Sequence, residues 1–384
     1  MNRAARLLSW FLPTLLACGA SVPAGPEPVV EPVGIVAMAL GSDHPWRGQA
    51  GLPSPQRSWD MGGTMAFWAT PPGTWQPLLA RLERLPGVRA AAPSWIRQAD
   101  VGAAPDLPGD PLLDRQWALA PGHLDARSAW ARGRDGGDRL VAILDTGVDP
   151  GHPELRGRVL SGWNTLAHDA DTTDRDGHGT HVAGILGAAG DDGVGGAGLC
   201  WRIRILPVKV MDRGRGHDAA ALEGLAWAVR RGASIVNMSL NSRDTRLSPF
   251  YERAARWAAD QGAWIVASAG NEGAAVTQPA NTPGILGVAA VDREGRRCRW
   301  SNHGPGVALA APGEGILSTL PGGRWGVDSG TSMAAPFVSG ALAMLLEGHP
   351  GAPRERILSL LRQATRPAAD PGLGAGILAL DRLP

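Results

Sequence analysis

Lysine is almost absent from this chain: of 37 basic residues only Lys209 is a lysine, a bias of base composition from which no function is read. An excess of charge of either sign is absent too. With 36 acidic residues the formal net charge is +1, which argues against electrostatic capture of nucleic acid or of an anionic membrane. There are three cysteines, Cys18, Cys200 and Cys298, too few for a small disulfide-stapled scaffold. No internal repeat is visible, which excludes a solenoid. What remains is ample: 384 residues at 44% hydrophobic content can build one large core and a smaller second one.

The apolar run "LLSWFLPTLLA" follows Arg3 and Arg6 and is too short to span a bilayer. Residues 1–18 therefore read as an export signal. Its end, "LLAC", resembles the lipobox of bacterial lipoproteins, and two outcomes stay open: lipidation of Cys18 with membrane anchoring, or plain cleavage and secretion to the extracellular space. Residues 19–32, rich in proline, read as an extended tether. For Cys200 and Cys298 two readings also stand, a disulfide in an oxidising compartment or two unpaired core thiols.

Residues 33–100 read strand, strand, helix, strand: "VGIVAMAL", "GTMAFWAT", "WQPLLARLERL" and "VRAAAPSWI", a small α+β domain. A Pro-, Gly- and Asp-rich linker follows over 101–112. From 113 to 384 short β-branched runs such as "RLVAILD", "IRILPVKV", "ASIVNMSL" and "AWIVASAG" alternate with helical stretches. Continuous rather than alternating hydrophobicity means strands buried on both faces, so the fold class is α/β, a mostly parallel sheet with helices on both faces. In such sheets ligands bind beyond the carboxyl ends of the strands. Asp145, Ser239 to Asn241, and Asn271 fall at such ends, while His178 and Ser332 open helices.

Serine is a poor nucleophile until a base takes its proton, imidazole is the usual base at neutral pH, and a carboxylate on its other nitrogen fixes the tautomer. A donor must also meet the developing oxyanion. Asp145, His178, Ser332 and Asn271 supply those four parts. Singly, each has a plainer reading: an N-cap for Ser332, an Asx turn for Asp145, a structural histidine for His178, a turn for Asn271, and a metal pair for His178 with His181.

The segments "VAILDTGVDPGHPEL", "DGHGTHVAG", "NMSL", "SAGNEG" and "SGTSMAAP" resemble, in this order, the subtilisin-like serine protease family, and "GDPLLDRQWAL" resembles the mature start of its thermitase-like branch. The resemblance implies a subtilisin-like fold and a serine endopeptidase acting on polypeptides. Asp145 becomes the orienting carboxylate, His178 the base, Ser332 the nucleophile, and Asn271 with the Ser332 N–H the oxyanion donors. His181 takes a structural role. It further implies that residues 33–100 form an inhibitory propeptide, that the precursor cuts itself somewhere in 97–110, and that the enzyme is a monomer without a catalytic cofactor.

The peptide-binding residues so implied are Gly214, Gly216, Ser239, Leu240, Asn241, Ser268, Ala269, Gly270 and Thr277. Family members usually carry Gly where this chain has Asn241 and often where it has Thr277. The pocket before the scissile bond is thus expected to be narrowed or more polar, which argues against a broad preference for large apolar side chains. Gln278–Pro279 matches a cis bond of the family. Structural calcium is expected at one or more of Glu154, Asp169, Asp171, Asp174, Asp176, Asp191 and Asp192, because clustered carboxylates in Gly-rich loops suit a hard cation. Two other classes compete: a silent binding protein on this fold, disfavoured because none of the four groups is missing, and a metal hydrolase built on His178 and His181.

Overall fold

The computed structural model describes residues 34–39, 44–47, 52–61, 64–71, 74–94, 96–99, 106–107, 112–242 and 248–384. The export signal with Cys18, the tether and most of the linker lie outside these residues.

Strands β1 (Gly34–Ala39), β2 (Arg57–Asp60) and β3 (Thr64–Ala69) precede helix α1 (Trp75–Glu83) and strand β4 (Val88–Ser94). They form an antiparallel sheet in the order β2-β3-β1-β4. The strand β2, "RSWD", escaped the sequence reading because it is short and polar. Period-2 alternation splits the sheet's side chains between two partners. Ile35, Ala37 and Trp68 pack with Leu82 of α1, whereas Val36, Met38, Met65 and Phe67 join the core of the large domain. Each such buried side chain stabilises the docked arrangement by about 1.5–3 kcal/mol.

Next come β5 (Ile96–Ala99), β6 (Asp106–Leu107), α2 (Ala126–Ala131), β7 (Leu140–Asp145), β8 (Trp163–Asn164) and α3 (His178–Gly187). The chain continues through β9 (Arg204–Lys209), β10 (Met211–Asp212), β11 (Arg215–His217), α4 (Asp218–Arg230), β12 (Ile235–Met238), β13 (Leu240–Asn241) and α5 (Pro249–Asp260). It closes with β14 (Trp264–Ser268), β15 (Ile285–Val291), β16 (Val307–Pro312), β17 (Ile316–Leu320), β18 (Arg324–Asp328), α6 (Thr331–Gly348), α7 (Arg354–Gln363), β19 (Thr365–Arg366) and β20 (Ile377–Leu378).

The central sheet has the order β19-β20-β16-β15-β14-β12-β7-β9-β8, and every pair in it is parallel except β19 with β20. In β7, Val141 and Ile143 face the layer of α3, α6 and α7, while Ala142 and Leu144 face that of α4 and α5. Burial on both faces is the reason these strands read as unbroken apolar runs. The carboxyl ends of β7, β12 and β14 lie side by side, and α3 and α6 begin there.

Strand β5 belongs to neither domain's own sheet. It pairs antiparallel with β11 on one side (Gly216 opposite Arg97) and with β13 on the other (Asn241 opposite Gln98, Leu240 opposite Ala99).

Candidate active site

Asp145 ends β7 with its side chain wholly buried. Its Oδ1 accepts the Thr146 backbone N–H at 2.7 Å and lies 2.6 Å from His178 Nδ1. A carboxylate there holds the proton on Nδ1 and leaves Nε2 as the basic nitrogen. So close an approach needs glycine at 179, where a Cβ would collide with the Gly147 carbonyl oxygen and stand 3.1 Å from Asp145 Oδ1.

Two residues whose roles the sequence reading missed hold this pair. Asp174, expected as a calcium ligand, is instead the fastener of the turn before α3. Its Oδ1 accepts from Thr146 Oγ1 (2.9 Å) and from the Asp176 and Gly177 backbone N–H groups, and its Oδ2 accepts from the Thr180 N–H and Oγ1 (2.8 and 2.6 Å). Carboxylate acceptors at a helix start satisfy donors that the helix cannot. The lone lysine, Lys209, is buried at the end of β9 and donates from Nζ to the Thr146 carbonyl at 2.6 Å, with Asp212 at 3.0 Å.

Ser332 is the second residue of α6 and wholly buried. Pro336, inside this helix, has no N–H for the carbonyl four residues back, which is that of Ser332. That carbonyl accepts from Ser239 Oγ at 2.9 Å instead. Asn237 Nδ2 donates to the same Ser239 Oγ, and Asn237 Oδ1 accepts from Ser339 Oγ, so the loop after β12 is laced to α6 by side chains. The Ser332 hydroxyl donates to the Ser239 carbonyl at 3.2 Å. Asn271 Oδ1 accepts the Thr331 N–H and Oγ1, both at 3.0 Å, which turns its Nδ2 donors away from Thr331.

The expected peptide-binding residues fall along two walls. Gly216 lies in β11, where a Cβ would collide with the Val210 carbonyl oxygen, and Gly214 sits at φ +67 in the turn from β10 to β11. Leu240 and Asn241 form β13, Ser239 precedes it, and Ser268, Ala269 and Gly270 run off the end of β14. The Ser242 N–H donates to the Gln278 carbonyl, bringing Thr277 alongside; its hydroxyl is buried without a hydrogen-bond partner among the described residues. Gln278–Pro279 is cis.

His181 Nε2 lies 3.2 Å from the Gly326 carbonyl oxygen, and burial drives its pKa down to about 4. Its Nε2 thus faces backbone, as a structural role would have it. Cys200 and Cys298 are free and buried, and Cys200 Sγ donates to the Gly340 carbonyl.

The acidic residues expected to hold calcium do not converge: among the described residues no three His, Cys, Asp or Glu side chains form a metal-binding group. In the loop before His178 the carboxylates are taken by the loop's own donors. Asp169 accepts from the Asp171 N–H, and Asp171 from the Thr173 N–H and from Arg175. Asp176 and Asp191 are both exposed, and partial desolvation raises the pKa of Asp176. Glu154 differs: it is wholly buried, neither carboxylate oxygen has a hydrogen-bond partner among the described residues, and burial, with Asp192 adding repulsion, raises its pKa to about 8. The Gly-rich loop encloses it so closely that a Cβ on Gly195 would collide with Glu154 Oε1.

Comparison with known proteins bears on the family and the fold. The model of the Subtilase family (Peptidase S8) matches residues 136–376. The chain is 38% identical over 250 residues to the thermophilic serine proteinase of Bacillus sp. (strain AK1), covering 65% of this chain and 60% of that protein's length. It is 35% identical to thermitase of Thermoactinomyces vulgaris, covering 70% of this chain and 94% of that one. Among solved structures, a protease from Pseudoalteromonas arctica PAMC 21717 superposes with a TM-score of 0.67 at 29% identity, covering 73% of this chain and 98% of the other. A nine-stranded, largely parallel sheet, an aspartate–histidine pair at 2.6 Å, a serine in the first turn of α6, and a family match over more than half the chain lead to one conclusion: this chain belongs to the subtilase family of serine peptidases.

Proposed function

We propose that the chain is an exported endopeptidase that hydrolyses peptide bonds in proteins through an acyl-enzyme on Ser332, and that it is made as a precursor that cuts itself. The observation that carries this reading is β5: a stretch of the chain's own backbone lies between β11 and β13 as an extended peptide substrate would, by strand addition. It leads from the N-terminal α+β domain, the inhibitory propeptide in this reading, and the cut falls within 97–110.

In the reaction, the Ser332 hydroxyl exchanges its hydrogen bond to Ser239 for one to His178 Nε2. His178 takes the proton as Oγ attacks the scissile carbonyl, and Asp145 stabilises the imidazolium formed. The carbonyl oxygen, now negative, is met by Asn271 Nδ2 and the Ser332 N–H, at the positive end of α6. His178 then returns the proton to the leaving amine. Water repeats the sequence on the ester and frees Ser332.

Calcium is assigned a structural role only. Unpartnered buried oxygens on Glu154, with Asp192 near them in a glycine-rich loop, fit a hard cation that takes oxygen ligands. The N-terminal sequence supports export, with either release or anchoring through a lipidated Cys18, and the enzyme acts as a monomer. Treatment with diisopropyl fluorophosphate tests the chemistry: mass mapping should find the label on Ser332, and a His178→Ala variant should remain unlabelled. A label elsewhere, or none on the folded parent, would contradict the reading.

A further inference from the structure

The scissile carbonyl must lie within reach of both Ser332 Oγ and the Asn271 amide. The side chain carried by the same residue, on the acyl side of the bond, is therefore confined between Ser239–Asn241 on one wall and Gly270–Glu272 on the other. In this chain that space is bridged. Asn241 is 1% exposed, and its Nδ2 crosses from β13 to donate to Glu272 Oε2 at 3.3 Å. A Cβ placed on Gly270 would stand 2.5 Å from Asn241 Nδ2 and 2.9 Å from Glu272 Oε2, and would collide with Asn302 Nδ2. Three side chains thus fill the volume above Gly270.

The bridge is held from both ends. Glu272 Oε2 also accepts from Asn302 Nδ2 at 2.8 Å and from the Asn271 N–H at 3.0 Å. Asn302 is anchored in turn: its Oδ1 accepts the Glu272 and Ala274 N–H groups, and its Nδ2 donates to the Ala269 carbonyl. Glu272 is itself exposed, but Asn241 is buried, so displacing it would leave its amide without the Glu272 acceptor, and a substrate side chain cannot push it aside at little cost.

We infer that Asn241 is a specificity-determining residue: it closes the pocket on the acyl side, so that the enzyme cuts after glycine, alanine or serine and rejects large side chains there. This rests on the peptidase reading above.

The test uses purified, self-processed enzyme and peptides differing only in the residue before the scissile bond: Ala, Phe or Arg. Active sites are counted with diisopropyl fluorophosphate, whose small substituents need no deep pocket. In the parent, kcat/KM for Ala should exceed that for Phe and for Arg by about tenfold or more. Asn241→Gly should move the Ala-to-Phe ratio by about tenfold or more through a gain on Phe, and Asn241→Ala should move it the same way by less. A parent that prefers Phe or Arg, or a labelled Asn241→Gly enzyme with an unchanged ratio, would overturn the inference. Failure of the parent to take the label or to cut any peptide would overturn the peptidase reading, and this inference with it.

Discussion

In the proposed reaction Asp145 and Asn271 act at different moments, and their variants should fail differently. Asp145→Asn keeps the shape but lets the imidazole adopt the wrong tautomer, so kcat should fall by about 10⁴-fold. Asn271→Ala removes one donor to the oxyanion and should lower kcat by about 10²–10³-fold with little change in KM, since the donor acts on the transition state. Steady-state kinetics on one peptide separates the two. At this scale the sequence was legible at the residues proposed to perform chemistry, because Asp145 ends β7 and His178 and Ser332 lie in the first turns of α3 and α6, as local pattern suggests. It was less legible where a side chain positions another. Asp174 looked like one of four loop carboxylates, and only the fold reveals that its two oxygens serve Thr146, Gly177 and Thr180. Lys209 gave no signal beyond being the sole lysine, since burial behind Thr146 is a tertiary fact. Pro336 was visible, but its effect, freeing the Ser332 carbonyl for Ser239, depends on β12 lying beneath α6.

Among elements, helices and parallel strands followed from local pattern, whereas β5 did not: "IRQA" has no strand signature of its own and is extended because two backbones flank it. The docking of the N-terminal sheet was likewise beyond local pattern, and it rests on identifiable contacts. Ser94 Oγ accepts the Ala219 N–H in the first turn of α4, a cap supplied from the other domain. Arg57 donates to the Thr165 carbonyl at 2.6 Å and faces Glu223 at 3.6 Å, while Phe67 stacks on His217 with centroids 5.2 Å apart. Losing the cap should cost about 1 kcal/mol. If the N-terminal domain inhibits after cleavage, Ser94→Ala should shorten the lag between chain cleavage and the appearance of activity by about fivefold, and Arg57→Ala should shorten it further by removing the bond to the Thr165 carbonyl and leaving the partly buried Glu223 with His168 as its only ion-pair partner among the described residues. Following cleavage by mass and activity by fluorogenic peptide in the same tube measures that lag. An unchanged lag in both variants would place the inhibitory contacts elsewhere.

For the molecule as a whole, the buried Glu154 ties stability to pH and, as the calcium ligand proposed above, to calcium. Its pKa of about 8 in the fold lies above the ordinary carboxylate value of 4.5. The folded state therefore holds a proton that the unfolded chain releases, and stability present below the ordinary value is lost as pH rises through 8. Without calcium, Tm should fall between about pH 5 and pH 8. Calcium should restore most of it at the upper end, where the carboxylate it binds is ionised, and little at the lower end. Glu154→Gln should flatten both trends, as read by calorimetry with and without chelator. The measurement that bears most directly on the whole account is intact mass with N-terminal sequencing, comparing the chain lacking residues 1–18 with its Ser332→Ala variant after identical incubation. A cut within 97–110 in the parent alone would establish nucleophile, precursor and peptide-bond hydrolysis together. Two folded chains that both stay intact, or that are both cut at the same bond, would contradict self-processing by Ser332.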